Sequence, residues 1–561
     1  MTNHHGIELG RVTEASVLTR PGSAVQGLEM TLVPAWIVRL LRRDSLIDLT
    51  LFKSTVSLLL AFGLARTLLF KATKLPEAAY FSTSLITAMT QRWTGLLVLA
   101  SVSLFLWFGW SRLRWSDFES GKILRLFIGM IAGTLAWTFS VYDFNLYYGQ
   151  LHLTERLLLV GLFLGSFWKP ALIVPFSALV YTITHQFDQP LACTWTDKRA
   201  MFDILSLFAG FLLTRLWVPK GWPTVKTVDF FFLAICLQAS NYFIPGWGKL
   251  ICAWPVIERL DNLFIASYLN GWFGFLTQEQ ALAWSGLIAR WNPAMVWGSL
   301  VLELAALFCL WNRRFCVALF LGCVGLHAMI CLTTGILFWK WIILDIALVV
   351  ALMLQRQESW AELFSASRLG LSLVLIFASP LIFDPPWLAW YDTELNEQYH
   401  LEVVTDQGET YHLPRTFLVP YEVYFAQNKF HFLTHDQYVN GRYGTTPSWN
   451  VARSLDGRPT REVAEAVRED LGHQEYSDQK VAAFDRFLKT YFANLNQRGT
   501  QHPFGFRVWQ PPQHIYSVVP EPQYAMQGPV SQVRVIHERA LYQRDQIVTL
   551  KRDVIRQIDV P

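Results

Sequence analysis

The chain has 561 residues, of which 53% are hydrophobic and only 16% charged. A soluble domain carries about 25% charged residues, so this balance excludes an ordinary cytosolic globule and points to a membrane protein. The formal net charge of +4 is too small to argue for nucleic acid, and no phosphate loop, CxxC pair or HExxH occurs, so no metal is expected.

The first 35 residues are polar or mixed and lack an apolar core with a cleavage site. Trp36-Ile-Val-Arg39-Leu-Leu-Arg42-Arg43 reads as a short amphipathic piece able to lie on a membrane face. Apolar runs then follow near 47–70, 93–111, 122–142, 146–168, 171–186, 201–218, 228–246, 294–311, 315–335, 340–355 and 368–384. Trp168-Lys169-Pro170 is either a turn between two short helices or a kink in one. Splitting there, with a cytoplasmic N-terminus, puts Arg112, Arg114 and Lys122, then Arg215, Lys220 and Lys226, then Arg313-Arg314, then Arg356 on one side.

The aromatic stretch from Leu250 to Asn292 reads as a long outer loop, serving as an interfacial belt or as the roof of a cavity. None of the seven cysteines lies in the polar C-terminal part. A disulfide framework is not expected, apart from a pairing of Cys193 with Cys252 if their loops share a face.

Composition changes at Pro385-Pro386. The pattern expects a hairpin over 400–413 around Gln407-Gly408, strands at 421–425, 429–433, 506–509, 515–519, 533–536 and 547–550, and helices over 459–473 and 478–497 starting at Ser477-Asp478. The expected architecture is a polytopic α-helical membrane protein with about 9–11 membrane segments and a C-terminal α+β extramembrane domain. Its divisions are an N-terminal segment 1–45, a membrane bundle 46–385 and an extracytoplasmic domain 386–561.

Polar groups inside apolar helices face a bundle interior. The candidates are Asp143, Asn145, His152, Glu155, Arg156, Asp203, Asp229, Gln238, Asn241, Glu303, His327 and Asp345. Glu155 and Arg156 read as a salt bridge seating a helix end, and Asp229 as a solvent-facing group. Glu303 must find a cation, a donor or a proton. It and His327 either pair with each other or line one pocket with Lys249. Lys249 follows a Pro-Gly-Trp-Gly break where a helix is expected to stop. Its amine either snorkels into the headgroup layer or, partly desolvated, acts as a general base.

Tyr242-Phe-Ile-Pro-Gly-Trp-Gly-Lys249-Leu, followed by Trp254, resembles the pattern Tyr-Phe-x-x-Gly-x-x-Lys-Leu-x-x-x-Trp of the vitamin K-dependent gamma-glutamyl carboxylase family and its bacterial relatives, the horizontally transferred transmembrane (HTTM) proteins. Glu303, Arg313-Arg314, Leu326-His327, Gly335-Ile and Phe338 are similar to that family's next two helices. The resemblance covers roughly residues 40 to 355. It implies an integral protein, of a bacterial inner membrane, with a cytoplasmic N-terminus and an outer C-terminal domain. It implies further a reduced quinone (vitamin K or menaquinol-like) as cofactor, with O2 and CO2 as co-substrates, and a peptide or small molecule modified at the outer face.

By the same resemblance Lys249 is the base; Glu303 and His327 are catalytic candidates beside it, His152 joins them if a helical shift brings it round, and Tyr242, Gly246, Trp247 and Trp254 are the candidates to bind the cofactor. The chain departs from the family at the histidine of an Asn-His-x-Tyr-Leu context. Here the stretch reads Asn145-Leu-Tyr-Tyr148 with His152 seven residues after the asparagine, which puts carboxylation itself in doubt. The competing expectation is a non-catalytic scaffold, peptide-maturation or immunity protein of the same superfamily.

Overall fold

The computed structural model describes residues 48–141, 145–191, 198–217, 221–355, 360–441, 444–498 and 510–561, which belong to one compact unit. Asp143, Cys193, Lys220, Arg356, the 506–509 strand and the amphipathic piece near Trp36 lie outside the described residues.

Each of the eleven apolar runs contains a helix. Among the described residues six are long and apolar enough to cross a membrane: Leu49–Ala72, Trp93–Arg112, Gly121–Ser140, Thr227–Ile251, the stretch Gln278–Phe308, and Arg313–Thr334. Their starts follow local chemistry. Asp48 accepts from the Thr50 and Leu51 amides, Asn312 from the Phe315 amide, and Thr277 with Gln280 forms a reciprocal box. At Lys169-Pro170 the chain does turn, ending Leu153–Ser166 and opening Ile173–Leu191.

The outer helices are apolar outward as well as inward. Trp93, Leu97, Leu104 and Trp107 on one helix are 59–83% exposed. Leu60, Leu64 and Leu68, at i, i+4 and i+8 on another, are likewise open. Contiguous apolar surface of this kind is unstable in water and suits lipid. Thr227–Ile251 is the opposite case, enclosed by its neighbours from Thr227 to Gly246.

Three local expectations are corrected. The Thr227–Ile251 helix does not stop at Pro245 but runs through it to Ile251. An internal proline costs about 3 kcal/mol, which the burial of a helix apolar on every side offsets. The stretch Leu250–Asn292 is not a loop but holds Trp254–Ile257, Leu260–Leu269 and the first half of Gln278–Ala305. Asp229 is buried, and its Oδ1 accepts from Arg368 Nη2 at 2.8 Å.

Beyond Tyr391, strands β1 (Tyr391–Asp392) and β4 (Thr445–Thr446) pair. β2 (Leu395–Thr405), β3 (Thr410–His412), β5 (Val530–Tyr542) and β6 (Ile547–Asp559) form an antiparallel sheet in the order β3-β2-β5-β6. The β2–β3 hairpin turns at Gly408, whose φ of +81° admits glycine without strain. Helices Arg461–Leu471 and Asp478–Arg498 stand where the periodicity puts them.

The stretches 421–425 and 429–433 are not strands. Glu422–Ala426 is helical and His431–Leu433 a single tight turn. Their aromatic rings pack on Phe484 and Phe487 of the long helix instead of pairing in a sheet. Nor is 515–519 a strand. It runs along the bundle, with the Tyr516 amide donating to Gly335 O and the Val518 amide to Gly271 O.

The long Asp478–Arg498 helix ties this region to the bundle. Its Asn494 Nδ2 donates to Leu146 O at 2.6 Å, and Phe487 stacks on Tyr147.

Candidate functional site

Gln238, Tyr242, Gly246 and Lys249 follow one another at steps of four, four and three, so they share one face of the Thr227–Ile251 helix. At its end, Lys249 Nζ lies 2.7 Å and 3.0 Å from the two carboxylate oxygens of Glu303. It also sits 4.9 Å from the ring centre of Trp254. The Lys249 side chain is 16% exposed and that of Glu303 9%. An amine that snorkels into the headgroup layer would have its head in the open; this one is held between a carboxylate and an indole.

Gly246 makes the contact possible. A Cβ there would fall 2.8 Å from the Cβ of Glu303, closer than packed carbons allow.

One to two turns back, the Tyr242 hydroxyl and Gln238 Nε2 both donate to the buried carboxylate of Asp345, the latter at 2.7 Å. The Tyr242 ring lies 5.6 Å from His327 and 5.7 Å from Trp341. His327 is also 5.1 Å from Phe338. The helix face is thus a polar seam with two layers: Lys249–Glu303–Trp254 at the end, and Gln238–Tyr242–Asp345 with His327 beneath.

Of the residues expected from sequence, Lys249, Glu303, Gly246 and Trp254 come together, and Tyr242 and His327 meet in the adjoining layer. Glu303 pairs with Lys249 rather than with His327. Trp247 is turned away. Being one residue, about 100°, round from Gly246, it stacks on Phe243 and meets Phe377 edge-on.

His152 belongs to a different place. It precedes the Leu153–Ser166 helix, with Nε2 2.9 Å from Ser82 O and Nδ1 accepting from Gln186 Nε2 at 3.1 Å. The network assigns the neutral Nε2–H tautomer. His152 lines a cavity of about 20 Å³, room for a water molecule, with Asn145, Glu155 and Gln186. It shares no described contact with Lys249, Glu303 or His327. Glu155 accepts from the Ser84 hydroxyl and the Ile86 amide, so it holds the start of the Leu85–Thr90 helix.

Asp345 was legible only as one polar residue among many. The signal that singles it out is the i, i+4 placement of Gln238 and Tyr242, two donors requiring one acceptor.

Around the mouth of the seam two further carboxyls are buried, Glu258 and Asp392, with the Asp392 amide 3.3 Å from Glu258 Oε2. Burial pushes both above the usual carboxyl range, and Asp392 raises Glu258 further, while the charge of Lys249 opposes the rise in each. Among the described residues no three His, Cys, Asp or Glu side chains are placed to hold a metal ion. Cys252 is a free thiol, and its carbonyl accepts from the Tyr391 hydroxyl.

A second buried charge cluster lies under the C-terminal sheet. Glu397 Oε1 accepts from Arg539 Nε at 3.1 Å, and its Oε2 is 3.4 Å from both His431 and His537. Burial alone would raise this carboxyl. The nearby His537 imidazole and the charges of Arg539 and His431 outweigh that and hold it at about 2.

Comparison of the chain with protein-family models, with curated proteins and with solved structures finds no match.

Proposed function

We propose that the chain is an integral membrane enzyme similar to the vitamin K-dependent carboxylases, with the Lys249–Glu303 pair as its acid–base centre. It would use a reduced quinone or similar lipid to modify a peptide or small molecule at the outer face. The observation that carries this reading is a partly desolvated amine, hydrogen-bonded to a buried carboxylate and covered by Trp254 at the end of an apolar helix. A structural pair would be expected to bury both heads fully or leave both in water. This one keeps limited access.

The residues suit a quinol. The indole of Trp254 stands over the amine, beside groups able to exchange a hydroxyl proton. Bound there, the quinol would supply reducing equivalents for reaction with O2. In this reading the Lys249 ammonium gives a proton to Glu303, the neutral amine so formed takes the hydroxyl proton of the quinol, and Trp254 excludes water. Crossings in addition to the six long helices, nine to eleven in all, and an outer C-terminal region complete the topology proposed. His152, seated in its own cavity, does not contribute to this centre.

Lys249→Ala should abolish quinol-dependent turnover, by about 10² to 10⁴-fold for loss of a general base, while the protein still inserts and folds, with lower stability because the buried Glu303 loses its partner. Full activity in that variant removes the proposal.

A second reading, a scaffold that binds a partner, is favoured by one observation: Glu303 already neutralises Lys249. Undiminished partner binding in the alanine variant, with no quinol oxidation by either form, would select it.

A further inference from the structure

At one end of the bundle two turns meet. One joins the Trp93–Arg112 helix to Gly121–Ser140, and the other joins Leu153–Ser166 to Ile173–Leu191. Lys169 Nζ donates to Trp110 O at 2.9 Å, Arg125 Nη1 to Phe167 O at 3.4 Å, and Trp115 Nε1 to Ser166 O at 2.8 Å, so these helix ends share one rim.

The accepting carbonyls belong to helix ends, and capping them uses one hydrogen of each cation. It leaves the charge and the other donors over, since a guanidinium carries five and an ammonium three. The acids on the two turns are Asp117 and Glu119. Among the described residues no carboxylate forms an ion pair with Arg125 or Lys169, whose nearest aromatic neighbour is Trp110, with its ring centre 5.4 Å from the ammonium. Between Phe167 and Lys169 stands Trp168, 77% exposed. Indoles and cations together mark the headgroup level of a membrane protein.

Below the rim the surface is apolar. Leu157 and Leu164 lie two turns apart on one face of the Leu153–Ser166 helix and both are open. Between them Gly161 has nothing within 4 Å of where a Cβ would lie, which leaves a shallow track toward Trp168. From Leu157 to Trp168 the rise is about 16 Å at 1.5 Å per residue, close to one leaflet of a bilayer core about 30 Å thick.

We infer that this rim binds one anionic phospholipid, its phosphodiester on Arg125 and Lys169, its glycerol against Trp168, and one acyl chain along Leu164 and Leu157. Two cations without a carboxylate carry more charge than one phosphodiester neutralises, and they repel the ammonium of a zwitterionic headgroup, so the net charge of the lipid matters. The inference rests on the chain lying in a membrane and not on what Lys249 does.

The test uses the full chain purified in a neutral detergent, with thermal stability as the readout, because a ligand that binds only the native state stabilises it. Dioleoyl phosphatidylglycerol should raise Tm saturably beyond dioleoyl phosphatidylcholine at the same mole fraction. Arg125→Gln and Lys169→Gln should each weaken phosphatidylglycerol binding about fivefold, the worth of one basic side chain near an anionic headgroup, each measured against its own lipid-free Tm. Trp168→Ala removes an exposed ring and should weaken binding too; it decides the matter if the cation variants fail to fold. Lys489→Gln, at an exposed position of the Asp478–Arg498 helix, should bind as the wild type does.

The site is overturned if phosphatidylglycerol stabilises no more than phosphatidylcholine, if folded Trp168→Ala binds undiminished, or if Lys489→Gln weakens binding as much as Arg125→Gln does. It is overturned equally if inorganic phosphate gives the same rise, or if native mass spectrometry finds a second copy of the chain retained in place of lipid. A chain that stays dispersed without detergent sinks the membrane reading itself, whereas the other outcomes sink only this site.

Discussion

Lys249 and Glu397 are both charged groups inside the protein, but they are held in opposite ways. Lys249 has one carboxylate and one indole, at the end of a helix, with part of its side chain still accessible. Glu397 has an arginine, two histidines and almost no exposure, on a central strand of the sheet. A charge compensated from several sides stays ionised down to low pH, as the Glu397 carboxyl, held at about 2, does. The proposed function places its chemistry in the seam, and the sheet cluster is expected to act as a fastening.

The comparison can be broken most directly at Arg539. Arg539→Met leaves Glu397 buried without its main cation, and should cost about 3–5 kcal/mol in unfolding by denaturant with no specific effect on turnover. A variant as stable as the wild type would show that the cluster fastens nothing.

The acid limb tests the same cluster. The folded pKa of Glu397 lies below its unfolded value of about 4.3, so its contribution is fully present above that pH and lost as pH falls toward about 2. Wild type should lose up to about 3 kcal/mol across that window from this group. Glu397→Gln should flatten the slope there; an unchanged slope contradicts the assignment.

Gly246→Ala sharpens the other side. The added methyl must push Glu303 away, for an expected loss of about 1–3 kcal/mol and a fall in turnover larger than the fall in stability. Equal losses would mean that Glu303 serves packing alone. The smallest effect is expected from Trp254→Leu, where removing the indole should cost about 1 kcal/mol of cation–π contact and make turnover more sensitive to added salt. Unaltered salt dependence would mean the indole does not screen the amine.

Much of this was legible along the chain. The eleven apolar runs each became a helix, because a stretch of that length and composition has few other ways to satisfy its backbone. Gly408 and Ser477-Asp478 marked their turn and helix start by side-chain chemistry alone. Local rules failed where packing outvoted them. Pro245 predicted a break in a helix that instead continues through it among buried neighbours. The aromatic runs at 421–433 had strand composition, but found their partners on Phe484 and Phe487, some fifty residues on.

What the sequence determined by itself is the set of helices, the apolar surface they present, and which residue types carry chemistry. Periodicity and composition act over a few turns, and these properties need no more. Only the tertiary structure decided that Glu303 faces Lys249 rather than His327, that Asp345 gathers Gln238 and Tyr242, and that His152 sits in a cavity of its own. Those pairings join residues dozens to over a hundred positions apart, and which side chains meet is set by the angle and approach of whole helices, down to the missing methyl at Gly246.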